Sequence, residues 1–269
     1  MTKLTSDART GVIRVNRADI YHEVRGQGPA ILFVSGATGD AGHWERIVDA
    51  LAPDHTVVSY DRRANSRSLK PHGWTSTTAD EQADDAAGLI EALDLAPATV
   101  VGNSGGAIIG LNLLMRHPHL LRSVVLHEPP LLSVLADPDG VTAVIQLIVE
   151  KGMAEGGPTG AARAFLGFAA GDATQHLDPR TYERMTDNGE VLFGVEFGAL
   201  ETYRPTDEEL TANTVPVHVL LGADSAPFFG EAARWLAPRL NTEVVTAPGA
   251  HVPMMSHPEH FVALLRSLV

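Results

Sequence analysis

Short, continuously apolar runs recur along this chain. Each closes on a small or polar residue and is followed by a segment of helical length. Ala30–Val34 ends in Ser35-Gly36, Thr56–Tyr60 at Asp61, and residues 99–101 at Gly102. Residues 123–126 end at His127-Glu128, residues 217–221 at Gly222, and residues 243–245 shortly before Pro248-Gly249. Runs that are apolar at nearly every position suit strands buried on both faces, as in a parallel sheet covered by helices. Two earlier runs, residues 12–15 and 20–24, flank Asn16-Arg17-Ala18-Asp19 and are expected to pair as an antiparallel hairpin. Between the runs, residues 78–93 place Ala83, Ala86, Ala87, Ile90 and Leu93 at helical spacing. Residues 107–117 form an apolar helical pattern stopped by Pro118, and residues 229–240 and 258–268 give two more. The alternation predicts an α/β fold with an eight-stranded, mostly parallel sheet flanked by helices.

Residues 131–214 break this rhythm. They hold helical patterns at 141–150, 159–169, 179–186 and 191–203 and no strand pattern. More than eighty residues of helix is too long for a crossover between neighbouring strands. The expected organisation is a sheet core of residues 1–130 and 215–269, with residues 131–214 inserted as a helical cap.

Composition removes several function classes. The chain has no cysteine, which excludes a thiol nucleophile, disulfides and thiolate metal sites. The net charge is −13 with no basic block, which argues against nucleic acid as a partner. No apolar run approaches the roughly 20 residues that span a bilayer, and residues 1–7 show no export signal. The expected location is the cytoplasm, with no membrane partner.

The segment Gly102-Asn103-Ser104-Gly105-Gly106 is G-x-S-x-G, set between a strand pattern and a helix pattern. That context suits a nucleophile elbow, a tight turn that presents a serine at the start of a helix. Ser104 is the candidate nucleophile. His251, in Pro248-Gly249-Ala250-His251-Val252-Pro253 after the last strand, is the candidate base. His257 is its nearest rival, but it precedes Pro258 and is expected to open the final helix. The third member is less regular. The usual aspartate would follow residues 217–221 at position 225, where this chain has Ser225, with Asp224 one residue early. Glu128, fixed before Pro129-Pro130 at the end of a buried strand, is the preferred acid. Asp224 is the alternative acid, or else it caps the following loop. His127 is expected to point away from Glu128 by strand alternation. The oxyanion hole is expected from the backbone N–H groups of Gly105 and Ala37, with Gly36 as the fallback, in the small-residue loop Ser35-Gly36-Ala37-Thr38-Gly39. Residues 61–68, with Asp61-Arg62-Arg63 at their head, read as a structural loop stapled by Asp–Arg pairs. Phe193, Phe197 and Tyr203 in the cap face either the substrate or one another.

At these residues the sequence resembles the α/β-hydrolase superfamily over nearly its whole length. The resemblance covers the Ser35-Gly36 loop, the Asp61-Arg62-Arg63 turn, the Ser104 elbow, the cap and the His251 loop. Within the superfamily it is similar to the branch containing the fungal zearalenone lactone hydrolase. His127-Glu128-Pro129-Pro130 is similar to that branch's His-Glu pair. His251-Val252-Pro253-Met254-Met255-Ser256-His257-Pro258 is similar to the segment around its catalytic histidine. The resemblance implies the α/β-hydrolase fold and the glutamate after the sixth strand, Glu128, as acid. Two departures stand out. That branch has a cap tryptophan near the substrate, whereas Trp44, Trp74 and Trp235 all lie outside residues 131–214. The superfamily's usual glycines in the loop after the fourth strand are replaced by Ala64 and Ser66.

The expected function is hydrolysis of a carboxylic ester or lactone of a hydrophobic small molecule through an acyl-enzyme, with no cofactor and no metal. Activity should need a neutral imidazole and fall as the pH drops below about 6–7. A C–C bond hydrolase, a cofactor-free perhydrolase, and a non-catalytic ligand receptor on the same fold remain alternatives. Self-association into a homodimer is left open.

Overall fold

The computed structural model describes residues 8–269. The segment 1–7, read above as lacking an export signal, lies outside the described residues. The chain opens with the hairpin β1 (Arg9–Val15) and β2 (Ala18–Arg25), in register Val15↔Ala18. Its two-residue turn places Asn16 and Arg17 at φ 43° and 63°. Left-handed backbone at both turn positions matches the twist of the flanking strands. The strands β3 (Ala30–Val34), β4 (Thr56–Tyr60), β5 (Ala98–Asn103), β6 (Leu121–His127), β7 (Val217–Gly222) and β8 (Val244–Ala247) run parallel to one another. The sheet order is β1-β2-β4-β3-β5-β6-β7-β8, with β2 antiparallel to both neighbours. All eight expected strands form, and the sheet is mostly parallel.

Alternation along each central strand divides the core. Leu32, Val34, Val100, Val124 and Leu126 pack on one face. Ile31, Phe33, Val101 and Val125 pack on the other, against Trp44, Ile47 and Phe261. The first face is covered by α1 (Ala79–Ala92) and α2 (Gly105–Arg116). The order reverses at β3, whose neighbours are β4 on one side and β5 on the other. In open parallel sheets the crevice beyond the strand ends at such a reversal is where ligands bind. The loops after β3, β5 and β6 carry Gly36, Ser104 and Glu128 to that edge.

The segment between β6 and β7 is helical, with no strand. A long helix, α3 (Pro138–Ala170), is broken at Gly156 and Gly157, just before Pro158. The break folds it into a hairpin close enough that a Cβ at Gly152 would stand 2.5 Å from the Gly160 carbonyl oxygen. Next come α4 (Pro179–Asp187), the short helix Gly189–Val191, a π-helical turn Leu192–Glu196 and the short helix Phe197–Glu201. The sheet core resumes with α5 (Pro227–Arg239), and the chain ends on α6 (Pro258–Arg266). Among the described residues no helix is long and apolar enough to cross a membrane.

Candidate active site

Ser104 stands between β5 and α2 with φ 56° and ψ −126°. A non-glycine residue held there is strained, and such strain persists only where the surroundings enforce it. Here they do. A Cβ at Gly102 would meet the Gly106 carbonyl oxygen at 2.3 Å, and one at Gly106 would meet that of Val34 at 2.1 Å. The two motif glycines therefore let strand and helix close on each other and force the serine outward. The Gly105 N–H opens α2 and has no partner within the helix.

The loop after β3 comes up against this turn. A Cβ at Gly36 would lie 2.8 Å from Ser104 Cβ, so only glycine fits there. Ala37 N lies 3.9 Å from the position a Gly105 Cβ would take. The two amides expected to bind an oxyanion therefore lie close together beside Ser104. The Gly36 carbonyl accepts from Gly39 N at 3.1 Å and from Arg62 Nη2 at 3.1 Å, which turns this loop's peptides and holds them.

His251, which borders the same cavity as Ser104, meets Glu128. His251 Nδ1 is 2.6 Å from Glu128 Oε2, and Gly222 N donates to Glu128 Oε1 at 2.7 Å. The glutamate thus reaches from the end of β6 to the tip of β7, where the missing aspartate would have stood. Ser225 Oγ is buried beside it, without a hydrogen bond of ordinary length. Burial opposes ionisation of Glu128, but the His251 hydrogen bond and the neighbouring imidazoles outweigh it and hold the carboxyl at about 2. Phe229 stacks on the His251 ring, with centroids 4.3 Å apart and planes at 16°. Ser104, His251, Gly105 and Ala37 all border one cavity.

Asp224 also borders the cavity, but it is exposed and is not the partner of His251 Nδ1. It does not cap α5 either, whose N-cap is Ala226 without a side-chain hydrogen bond. His257 is the N-cap residue of α6, as expected for the residue before Pro258.

Asn103, the variable residue of the motif, carries a role that no local sequence pattern signals. Its amide donates to the His251 carbonyl at 2.9 Å and to His127 Nδ1 at 2.9 Å, and its oxygen meets His43 Nε2 at 3.0 Å. This pattern puts the protons of both buried imidazoles on Nε2. Burial holds each imidazole at about 4, and hence neutral. His127, given no role from the sequence, is part of this buried support behind His251.

The cavity of about 260 Å³ is lined mainly by apolar side chains, among them Ile108, Leu132, Phe165, Phe197 and Phe229. Among the described residues its ionisable lining groups are His251, Glu201 and Asp224, with no lysine or arginine. Phe197 lines it. Phe193 does not line it: that ring packs on Phe165 and Phe197, 5.9 Å and 5.8 Å away, as a second layer of the wall. Tyr203 turns aside to Asn112, its hydroxyl 3.3 Å from Oδ1. Gly36 lies behind Ala37 and is not part of the lining. Among the described residues no group of three or more His, Cys, Asp or Glu side chains is placed to hold a metal ion.

The loop after β4 differs from its sequence reading at one residue. Arg67 pairs with Asp61, and Arg63 with Asp85, as a stapled loop requires. Arg62 instead reaches the cap, donating Nη1 and Nη2 to the two Glu196 oxygens at 2.6 Å and 2.9 Å. Both side chains are fully buried. Gln82 and Asn65 also donate to Glu196, each at 3.0 Å. Glu196 ends the π-helical turn whose neighbours Leu192 and Phe197 face the cavity. Such turns recur at functional sites.

Residues 29–258 match the alpha/beta hydrolase fold family. The uncharacterized hydrolase YraK of Bacillus subtilis is 42% identical over 125 residues, 46% of either chain, so the present chain spans less than half of that relative's length. The zearalenone hydrolase of Bionectria ochroleuca is 26% identical over 261 residues, covering 94% of each chain. Among solved structures, a hydrolase from Pseudomonas aeruginosa superposes with a TM-score of 0.76 at 21% identity, over 96% of this chain and 97% of that one. The last likeness is one of fold.

Proposed function

Because the chain belongs to the alpha/beta hydrolase fold family, we propose that it hydrolyses a carboxylic ester or lactone of a hydrophobic small molecule through an acyl-enzyme. The observation that carries this reading is the buried His251–Glu128 pair at 2.6 Å, whose His251 borders the same cavity as a serine in a strained elbow.

Glu128 accepts the Nδ1 proton of His251 and so leaves Nε2 free to act as base. His251 takes the proton of Ser104 Oγ as that oxygen attacks the carbonyl carbon. The oxyanion that forms is met by the N–H groups of Gly105 and Ala37, aimed at the charge before it develops. Collapse breaks the C–O bond, and His251 returns its proton to the departing alkoxide, which in a lactone stays tethered to the acyl group. Water, deprotonated by His251, then releases the acid and restores Ser104. The apolar lining and the two carboxylates, with no lysine or arginine among the described residues, favour a neutral substrate over an anionic one. The full-length relative named zearalenone hydrolase supports a lactone among the candidates. The absence of a cap tryptophan supports a pocket of different shape.

The test is a panel of neutral esters and macrolactones assayed with the wild type and Ser104→Ala. The variant is expected to lose about 10³-fold or more in kcat. A fluorophosphonate is expected to label the wild type at one mole per mole and the variant not at all. Retention of most of the activity by Ser104→Ala would remove Ser104 as nucleophile.

A further inference from the structure

The cavity at Ser104 does not end at its own wall. A second space of about 530 Å³ lies beyond it, and the two share Phe168, Ala226 and Phe228 as lining residues. The outer space runs between the first turns of α3 and the start of α5. Leu135, Val141, Val144 and Pro227 line it, with Phe168 and Phe228 at the junction. Val144 is 48% exposed and Phe168 45% exposed. Large apolar side chains left open together beside a catalytic-type cavity mark a place where something apolar is received.

The polar groups of this space fit the same occupant. Glu231 accepts from Ala136 N, and Asp137 accepts from Gly140 N at 3.0 Å, so each carboxylate already has a backbone partner. Among the described residues no lysine or arginine lines the space. A carboxylate or phosphate would find no counter-ion there and two negative charges nearby. The cap is also tied down unevenly. Arg62–Glu196, Arg184–Asp40 and Asn188–Ser66 fasten its later part to the loops after β3 and β4.

We propose that this outer groove is a second substrate subsite, which takes an uncharged apolar chain or ring extending from the scissile group past Phe168 and Phe228. The proposal rests on the ester or lactone reading of the Ser104 site. It makes the preferred substrate a two-part molecule: a carbonyl-bearing portion in the inner cavity and a hydrophobic limb in the groove.

The experiment uses two series of straight-chain esters, one lengthened on the acyl limb and one on the alcohol limb, each kept below its micelle concentration. In wild type, one series is expected to gain about fourfold in kcat/KM for each methylene that enters the groove. Val144→Asp places a charge in the groove at a half-exposed helix position and is expected to collapse the long-to-short ratio in that series. Val144→Leu is expected to keep it. A general loss of folding lowers long and short esters alike and leaves the ratio intact. A carboxylate-terminated version of the best long ester is expected to be at least about tenfold worse than its neutral parent. Ratios unchanged by Val144→Asp in both series would overturn the subsite.

Calorimetry of the same esters with Ser104→Ala and Ser104→Ala/Val144→Asp reads the groove without turnover. Affinity that rises with length in the first and not in the second supports it, even if wild type cleaves none of the esters and the hydrolase reading fails. Affinity independent of length in both overturns it.

Discussion

Glu128 has a left-handed backbone, φ 50°, which costs a non-glycine residue about 1–2 kcal/mol. The following Pro129 disfavours the right-handed helical region for it. Its N–H is spent on the Leu220 carbonyl at 3.1 Å. The backbone is thus pinned to β7, and the side chain reaches both Gly222 N and His251 Nδ1. Aspartate, one methylene shorter, cannot span the same gap from this Cα without moving β6. Glu128→Gln keeps the shape but loses the charge that favours the correct imidazole tautomer and the imidazolium. It should lower kcat/KM by about 10³–10⁴-fold, measured on the best ester of the panel. Asp224→Asn, whose residue is exposed and is not the partner of His251 Nδ1, should stay within about threefold. The reverse ranking would move the acid to Asp224. The contact between Glu128 and His251 was legible in the sequence because position 225 is serine and an acid ending a buried strand needs a partner. Asn103 was not, because nothing local shows that one amide will meet His43, His127 and the His251 carbonyl from three distant segments.

At the scale of elements, the loop after β4 is the join between sheet and cap. Ala64 and Ser66 hold φ 62° and 48°, so the loop keeps left-handed turns at positions where glycine would take them freely. Asn188 accepts from Ser66 N at 2.7 Å and donates to Ser66 Oγ at 2.8 Å, fixing one of these turns from the cap side. The Arg62–Glu196 pair fixes the other end, and through the Gly36 carbonyl it touches the oxyanion loop. Breaking a buried pair leaves a charge unsolvated, whereas replacing both members with apolar residues can be nearly neutral. Glu196→Gln should therefore cost about 3–5 kcal/mol in urea unfolding. Arg62→Met/Glu196→Leu should recover most of that stability while kcat stays low, because Gly36 O loses its Arg62 donor. Equal stability of Glu196→Gln and wild type would show that the pair carries little of the fold. The pair could not be read from the sequence, since 134 residues separate its members. Brevity hid the short helices Val48–Leu51 and Asp207–Thr211, neither long enough to show a period. The break in α3 was legible, because Gly156-Gly157-Pro158 removes both the rigidity and the N–H that a helix interior needs.

Across the whole molecule, the parallel sheet was legible because strands buried on both faces have to be apolar throughout. The placement of charge was not. Of the groups the sheet buries, His43 and His127 stand out, at 5% and 0% exposure, each held neutral with a value of about 4. In the unfolded chain both would titrate near the ordinary histidine value of about 6.5. Between those values the unfolded state binds protons that the folded state refuses, so stability must fall as the pH drops through that window and rise again as it is raised. Two such groups give a slope approaching two protons and a loss of about 3–4 kcal/mol between pH 7 and pH 5. Glu128 adds nothing there. Its lowered value works in the same sense but at lower pH, giving stability that is present above the unfolded carboxylate value of about 4.3 and lost only as the pH falls towards about 2. Urea unfolding of the wild type at a series of pH values from 7 to 5 reads the slope. His127→Gln keeps an amide to meet Asn103 and removes one titrating group. It should cut the loss between pH 7 and 5 by about half, whatever it costs in absolute stability. An unaltered slope in that variant would mean that His127 takes up its proton as easily folded as unfolded, and that the polar support behind His251 is wetter than its burial implies.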